Sequence, residues 1–161
     1  MANPTSTWIC DNCRQVIVSD AHGWVEWLHT VSSNPSTKVP GRGLRLVHHV
    51  HHSPIGGCQY DGKAEHTRDG SILGDMTLRH FQGHDGLMRL LEMISDNILP
   101  SDEIIEMIKR IHIPGYEYSR NYFSQAIADD AFEPNTKPSF YIQSHIDSTL
   151  EWMNRNGIAT H

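Results

Sequence analysis

The sequence predicts an α+β fold: a small antiparallel β unit at the N-terminus packed on a C-terminal bundle of about four helices. Three observations point there. Cys10 and Cys13 form a Cys-x-x-Cys pair, answered far downstream by the run His48-His-Val-His-His-Ser-Pro-Ile-Gly-Gly-Cys58. The stretches between them are short, β-branched and aromatic, and from about residue 84 apolar residues recur at helical spacing. The chain therefore divides into a metal-binding β unit at 1–60, a connecting segment at 61–83 and a helical bundle at 84–161. At 161 residues these form one compact domain with a core of ordinary size.

The strands come first. Gln15-Val-Ile-Val18 and Gly23-Trp-Val-Glu-Trp-Leu28 are β-formers, and Ser19-Asp-Ala-His22 between them reads as a hairpin turn. Residues 32–43 are rich in Ser, Pro and Gly and read as an exposed loop. Leu44-Arg-Leu-Val-His-His-Val50 is a third strand, closing a small sheet beside the cysteine turn. The Gly- and Asp-rich stretch 61–83 has little periodicity beyond a short helical turn after Thr77.

The helices follow. Leu87, Leu90, Leu91 and Ile94 place one apolar face on a helix starting near Asp85. Pro100-Ser-Asp-Glu103 opens a second helix with an acidic first turn. Ile104, Ile108 and Ile111 form its inner face, and Lys109, Arg110 and His112 complement the dipole at its end, before Pro114-Gly115. A third helix runs from near Tyr116 to Asp129-Asp130. A fourth, capped by Ser139, carries Ile142, Ile146, Leu150 and Met153 and stops at Gly157.

Two thiols on one tight turn plus a distant thiol beside imidazoles supply the N/S ligands of a closed tetrahedral zinc site. The expected set is Cys10, Cys13, Cys58 and His49, with His52 the next choice for the histidine. Such a strand-and-knuckle layout resembles a zinc ribbon. Three thiolates and one imidazole fill the coordination sphere, which implies a structural ion, because catalytic zinc keeps a position open for water. A redox Cys-x-x-Cys needs a helix behind it, and here a strand follows.

The run from Val47 to Gly57 after a Cys-x-x-Cys also resembles the core of HNH-type endonucleases, over about residues 8–58. That resemblance implies an imidazole base and a hard cation held by further His, Asp or Asn groups. Asp61, Glu65 and His66 are the later residues on offer, while the family's later asparagine and second Cys-x-x-Cys are missing. Residues 103–122 read as helix, Gly turn, helix, the spacing of helix-turn-helix DNA readers, with Arg120, Asn121 and Gln125 able to face a groove. No metalloprotease or deaminase motif, Walker loop, nucleophile elbow or dinucleotide fingerprint is present.

Charge narrows the partners. The net charge is -6. Up to residue 60 four basic residues face three acidic ones, and beyond it nine face sixteen. Only the N-terminal part can approach phosphates without strong repulsion, so a protein partner is favoured over nucleic acid. Trp24 and Trp27 are the candidate contacts. Met1-Ala-Asn-Pro-Thr-Ser-Thr lacks the features of a secretory leader, no apolar run can span a bilayer, and three cysteines suit a reducing compartment. The sequence thus describes a non-catalytic, zinc-stabilised cytoplasmic binding or regulatory protein, with the nuclease and the DNA reader as alternatives.

Overall fold

The computed structural model describes residues 7–34 and 36–160; the leader expectation falls largely on residues 1–6, outside them. The architecture is α+β, with two small antiparallel sheets toward the N-terminus and helices dominating the C-terminal half. The chain forms two compact units, Met1–Ile108 and Lys109–His161.

In the first unit, β1 (Trp8–Ile9) and β2 (Val16–Ile17) pair as a two-stranded ribbon, Trp8 opposite Ile17 and Ile9 opposite Val16. The Cys-x-x-Cys occupies the turn between them. Residues 15–18 were expected to pair with 23–28 through a turn at Ser19. Instead Ser19 caps a 3₁₀ turn, Asp20–His22, which carries the chain into a separate sheet. That sheet has the order β4-β3-β5, with β3 (Gly23–His29) between β4 (Arg42–His48) and β5 (Ile72–Thr77). Val25 and Glu26, which alternation points to opposite faces, are both fully buried, so the central strand is covered on both sides.

The stretch 61–83 is therefore more than a connection. It contains α1 (Gly62–Asp69) and the sheet's third strand. Both escape a periodicity search for physical reasons. No residue of α1 is buried, so it has no apolar face to detect; Asp61 defines its start by accepting from the Lys63 and Ala64 N–H groups, and left-handed Gly70 ends it. In β5 the alternation is broken by Gly74, which pairs with Trp27, and by exposed Asp75. A Cβ on Gly74 would lie 2.5 Å from the Trp27 indole, so the missing side chain is what lets that ring lie across the strand.

The helical turn expected after Thr77 is the 3₁₀ segment Leu78–Phe81, whose two end residues are fully buried. Leu78 comes up against Gly23, and Phe81 meets the Trp27 ring edge-on. The next helix, α2 (Gly83–Ser95), buries Gly86, Leu90 and Met93 and leaves Leu91 exposed, a face rotated from the expected one. Gly86 sets that rotation: a Cβ there would stand 2.0 Å from the Phe81 carbonyl carbon. Gly86→Ala must push backbone from backbone, and the expected cost is about 1–3 kcal/mol, read as a lowered urea midpoint at unchanged slope.

Helix α3 (Ser101–His112) has Asp102 and Glu103 in its first turn and Lys109, Arg110 and His112 in its last. Its buried positions are Ile104, Met107 and Arg110. The division between the units falls within this helix. In the second unit, the single helix expected from Tyr116 is two short ones, α4 (Tyr116–Ser119) and α5 (Phe123–Ala128). The Ser119 hydroxyl donates back to the Gly115 and Tyr116 carbonyls, a competing local bond of the kind that interrupts helices. The last helix, α6 (Gln143–Arg155), starts four residues beyond Ser139, whose φ of 72° takes it out of any helix; left-handed Gly157 follows the helix end as expected. Tyr116, Phe123 and Ile146 make one core cluster, and Ala126, Trp152 and Met153 another.

Candidate metal centre

The turn between β1 and β2 is closed by two backbone bonds, Cys10 N–H to the Gln15 carbonyl and Arg14 N–H to the Cys10 carbonyl, with Arg14 in the left-handed region at φ 63°. This tight reversal puts Cys10 and Cys13 on one concave side. Asp11 then fastens the turn to β4: its N–H donates to the Leu46 carbonyl at 2.8 Å, and its carboxylate accepts from the Leu46 N–H at 2.7 Å. Because β3 pairs with only one edge of β4, Asp11 occupies the other.

His48, two residues beyond Leu46 on the same strand face, is thereby placed at the thiols. Its Nε2 lies 3.1 Å from the Val16 carbonyl, which can only accept, so Nε2 carries the proton and Nδ1 holds a free lone pair. Nδ1 faces Cys13 Sγ at 3.4 Å and Cys58 Sγ at 3.9 Å. A backbone carbonyl on the far ring nitrogen is the usual way a ligating imidazole is oriented.

Cys58 arrives on the loop after β4. Arg45 donates to its carbonyl at 3.1 Å, and the guanidinium is itself held by buried Glu26 and by the Tyr60 ring, 3.5 Å from the ring centre. The Ser53 hydroxyl lies 3.1 Å from its sulfur. Burial pushes the Glu26 carboxyl above its ordinary pKa, against the lowering effect of Arg45 and the Tyr60 N–H.

Cys10, Cys13, His48 and Cys58 thus form a group whose donor atoms all lie within 4.8 Å of one another, and the group can bind a metal ion. Around a tetrahedral ion with sulfurs about 2.3 Å away, neighbouring sulfurs sit about 3.7 Å apart, so the cluster needs only slight contraction. Cys10 and Cys58 are fully buried, and all three cysteines are free thiols. Burial raises the cost of a thiolate at Cys10, but backbone bonds from Cys13, His48 and Asn12 outweigh it and lower its pKa. Burial, reinforced by the neighbouring thiols, pushes Cys13 up to about 11. Three thiolates in this space repel one another unless a cation is shared among them.

The imidazole that lies with the three cysteines is that of His48; those of His49 and His52 lie elsewhere. Strand β4 ends at His48, so the alternation used to place His49 no longer applies one residue later. The His49 ring lies against Trp24, 4.8 Å between centres, and the His52 ring stacks on His22 at 3.7 Å. Asp11 is the site residue that sequence reasoning missed. Its signal was an acid inside the Cys-x-x-Cys, and its meaning depends on a strand edge that only the fold supplies. His48→Gln is expected to weaken metal binding at the cysteine cluster at least about tenfold while His49→Gln leaves binding at that cluster unchanged, read by the sulfur-to-cobalt(II) absorption.

The residues required by the other readings lie elsewhere. Asp61 caps α1, Glu65 pairs with Arg68, and His66 Nδ1 is 3.3 Å from the Ser71 carbonyl. Arg120 reaches Glu117 at 3.4 Å, and Asn121 falls in the break between α4 and α5. Trp24 and Trp27 are both partly buried against neighbouring rings. No helix among the described residues is long and apolar enough to cross a membrane. No family model, curated protein or solved structure matches the chain.

Proposed function

We propose that one structural zinc ion joins Cys10, Cys13, His48 and Cys58, and that the chain is a non-catalytic, zinc-stabilised binding or regulatory protein acting on a protein partner in a reducing intracellular compartment. The observation that carries this reading is the closed donor set: three sulfurs and one oriented imidazole nitrogen within 4.8 Å, which between them fill a tetrahedron. Soft thiolates select zinc over magnesium, calcium or manganese, and a filled sphere leaves no position for substrate or water. The sixteen acidic against nine basic residues beyond position 60 favour a protein partner over a phosphate backbone.

Elemental analysis of protein purified without added metal is expected to find one zinc per chain. Chelation at neutral pH is expected to lower the melting temperature, and the zinc-loaded protein should leave DNA and RNA uncut with magnesium or manganese. A metal content near zero, or metal-dependent cleavage abolished by a single His→Ala change, would overturn the reading. Affinity capture from native cytosol, compared between zinc-loaded and His48→Gln protein, then identifies the partner.

A further inference from the structure

Four imidazoles outside the cysteine cluster gather at one end of the sheet. His49 begins the 3₁₀ turn Val50–His52, and the His52 N–H donates to the His49 carbonyl at 2.8 Å. With about three residues per turn, side chains three apart in such a turn fall on one side, so His49 and His52 share a face. His51 lies between them. The ring centres of His49 and His51 are 5.1 Å apart, and those of His49 and His52 are 6.3 Å apart.

Those separations are compatible with a shared ion. Two imidazoles on one ion, each nitrogen about 2.1 Å from it, hold their ring centres about 5 Å apart. His49 and His51 already have that spacing, and His52 needs a small rotation to reach it. His51 and His52 are exposed, whereas the rings of His22 and His49 are half-buried. Trp24 packs on His49, and His22 stacks on His52 with 14° between the planes. The His49 N–H bonds the His22 carbonyl at 2.8 Å, tying the two chain segments together. Two stacked rings keep their lone pairs in near-parallel planes that do not meet at one ion, so His22 supports His52 rather than sharing its ion.

We propose that His49, His51 and His52 form a second, exchangeable site for a divalent transition-metal ion, separate from the cysteine cluster, with His22 and Trp24 positioning two of the three rings. Imidazole ligands suit zinc, copper and nickel, not magnesium or calcium. Three of them leave coordination positions for water or an anionic group. Among the described residues the cysteine group alone has its donor atoms already within 4.8 Å of one another. The imidazole site must therefore close on its ion, which makes it the weaker and more readily exchanged of the two.

Cobalt(II) separates the sites, because only thiolate ligation produces an intense near-ultraviolet sulfur-to-metal absorption. The full chain is titrated with cobalt(II), following that absorption together with total bound metal by equilibrium dialysis. The expected result is that the absorption saturates at one equivalent while a further equivalent binds without adding to it. His49→Gln/His51→Gln/His52→Gln protein should keep the absorption and lose the second equivalent, its affinity falling at least about tenfold. The milder His51→Gln, at an exposed position, should weaken the second equivalent with the absorption intact. Copper(II) should quench part of the tryptophan emission, and Trp24→Phe should remove that part. A wild-type chain with no second equivalent, or a triple variant that binds it unchanged, overturns the proposal. Loss of the sulfur absorption alone would count against the zinc centre and not against this site.

Discussion

Cys10→Ser and Cys58→Ser are each expected to unfold the sheet-bearing half of the protein while helical circular dichroism survives in part. The first unit rests on a two-residue ribbon and a three-stranded sheet, and two-stranded pairs alone are marginal in water. A structural zinc contributes about 10–16 kcal/mol at neutral pH, as much as the whole stability of a typical domain, about 5–15 kcal/mol. A site with one thiolate removed loses much of that, and the cysteine turn is then left to hydrogen bonds such as those of Asp11 and the ribbon pairs. Residues 109–161 have their own core clusters and should keep their helices. Gly57→Ala is the control, since a Cβ there meets nothing within 4 Å.

The same centre sets the direction of the pH response. Bound thiolates and the lone pair of His48 carry no proton, whereas the unfolded chain binds protons at all four groups as pH falls. The unfolded state thus holds more protons, and stability rises with pH until the free thiols themselves ionise. The metal-loaded protein should therefore melt earlier as the pH is lowered from neutrality, and the Cys58→Ser chain should show little of that dependence. Equal pH dependence in both would sink the argument.

The second large effect belongs to the other unit. Arg110 and Glu117 form a two-pronged ion pair, at 2.7 and 2.8 Å, with side chains only 4% and 5% exposed. Glu117 also faces Arg120 at 3.4 Å, so Glu117→Ala takes a carboxylate from two largely buried guanidiniums and is expected to cost about 3–5 kcal/mol. Replacing both members by apolar residues of similar volume, as in Arg110→Met with Glu117→Leu, should recover part of that loss, Arg120 still losing the Glu117 carboxylate. Urea melts followed at 222 nm give both numbers. A double replacement no more stable than Glu117→Ala would show that the charges contribute more than they cost.

How much of this could be read from the chain depends on which forces left a local signature. The helix α3 and the stop at Gly157 are periodic or conformational signals carried within a few residues, and they are legible. The same holds for the three cysteines, whose chemistry is narrow. The inner face of α3 is not legible, since of Ile104, Ile108 and Ile111 only Ile104 is buried, beside Met107 and Arg110. Helix α1 left no such trace because it is held by caps and buries nothing, and β5 was obscured by a glycine whose value lies in the ring it admits. The choice between His48 and His49 turned on where β4 ends and on the hydrogen bond that the Asp11 carboxylate accepts from Leu46, neither of which spacing encodes. The interruption at Ser119 is a contest between two local bonds of similar strength, which sequence patterns do not resolve.

The order of the ligands along the chain has a consequence for synthesis. All four lie within residues 10–58, and between Cys13 and Cys58 run the two paired strands β3 and β4. The third strand and every α-helix come later in sequence. On a ribosome adding about 5–20 residues per second, the complete ligand set emerges seconds before the acidic helical half. An ion captured then can hold the β3–β4 hairpin while the rest is still being made, so that β5 adds to an edge already in place.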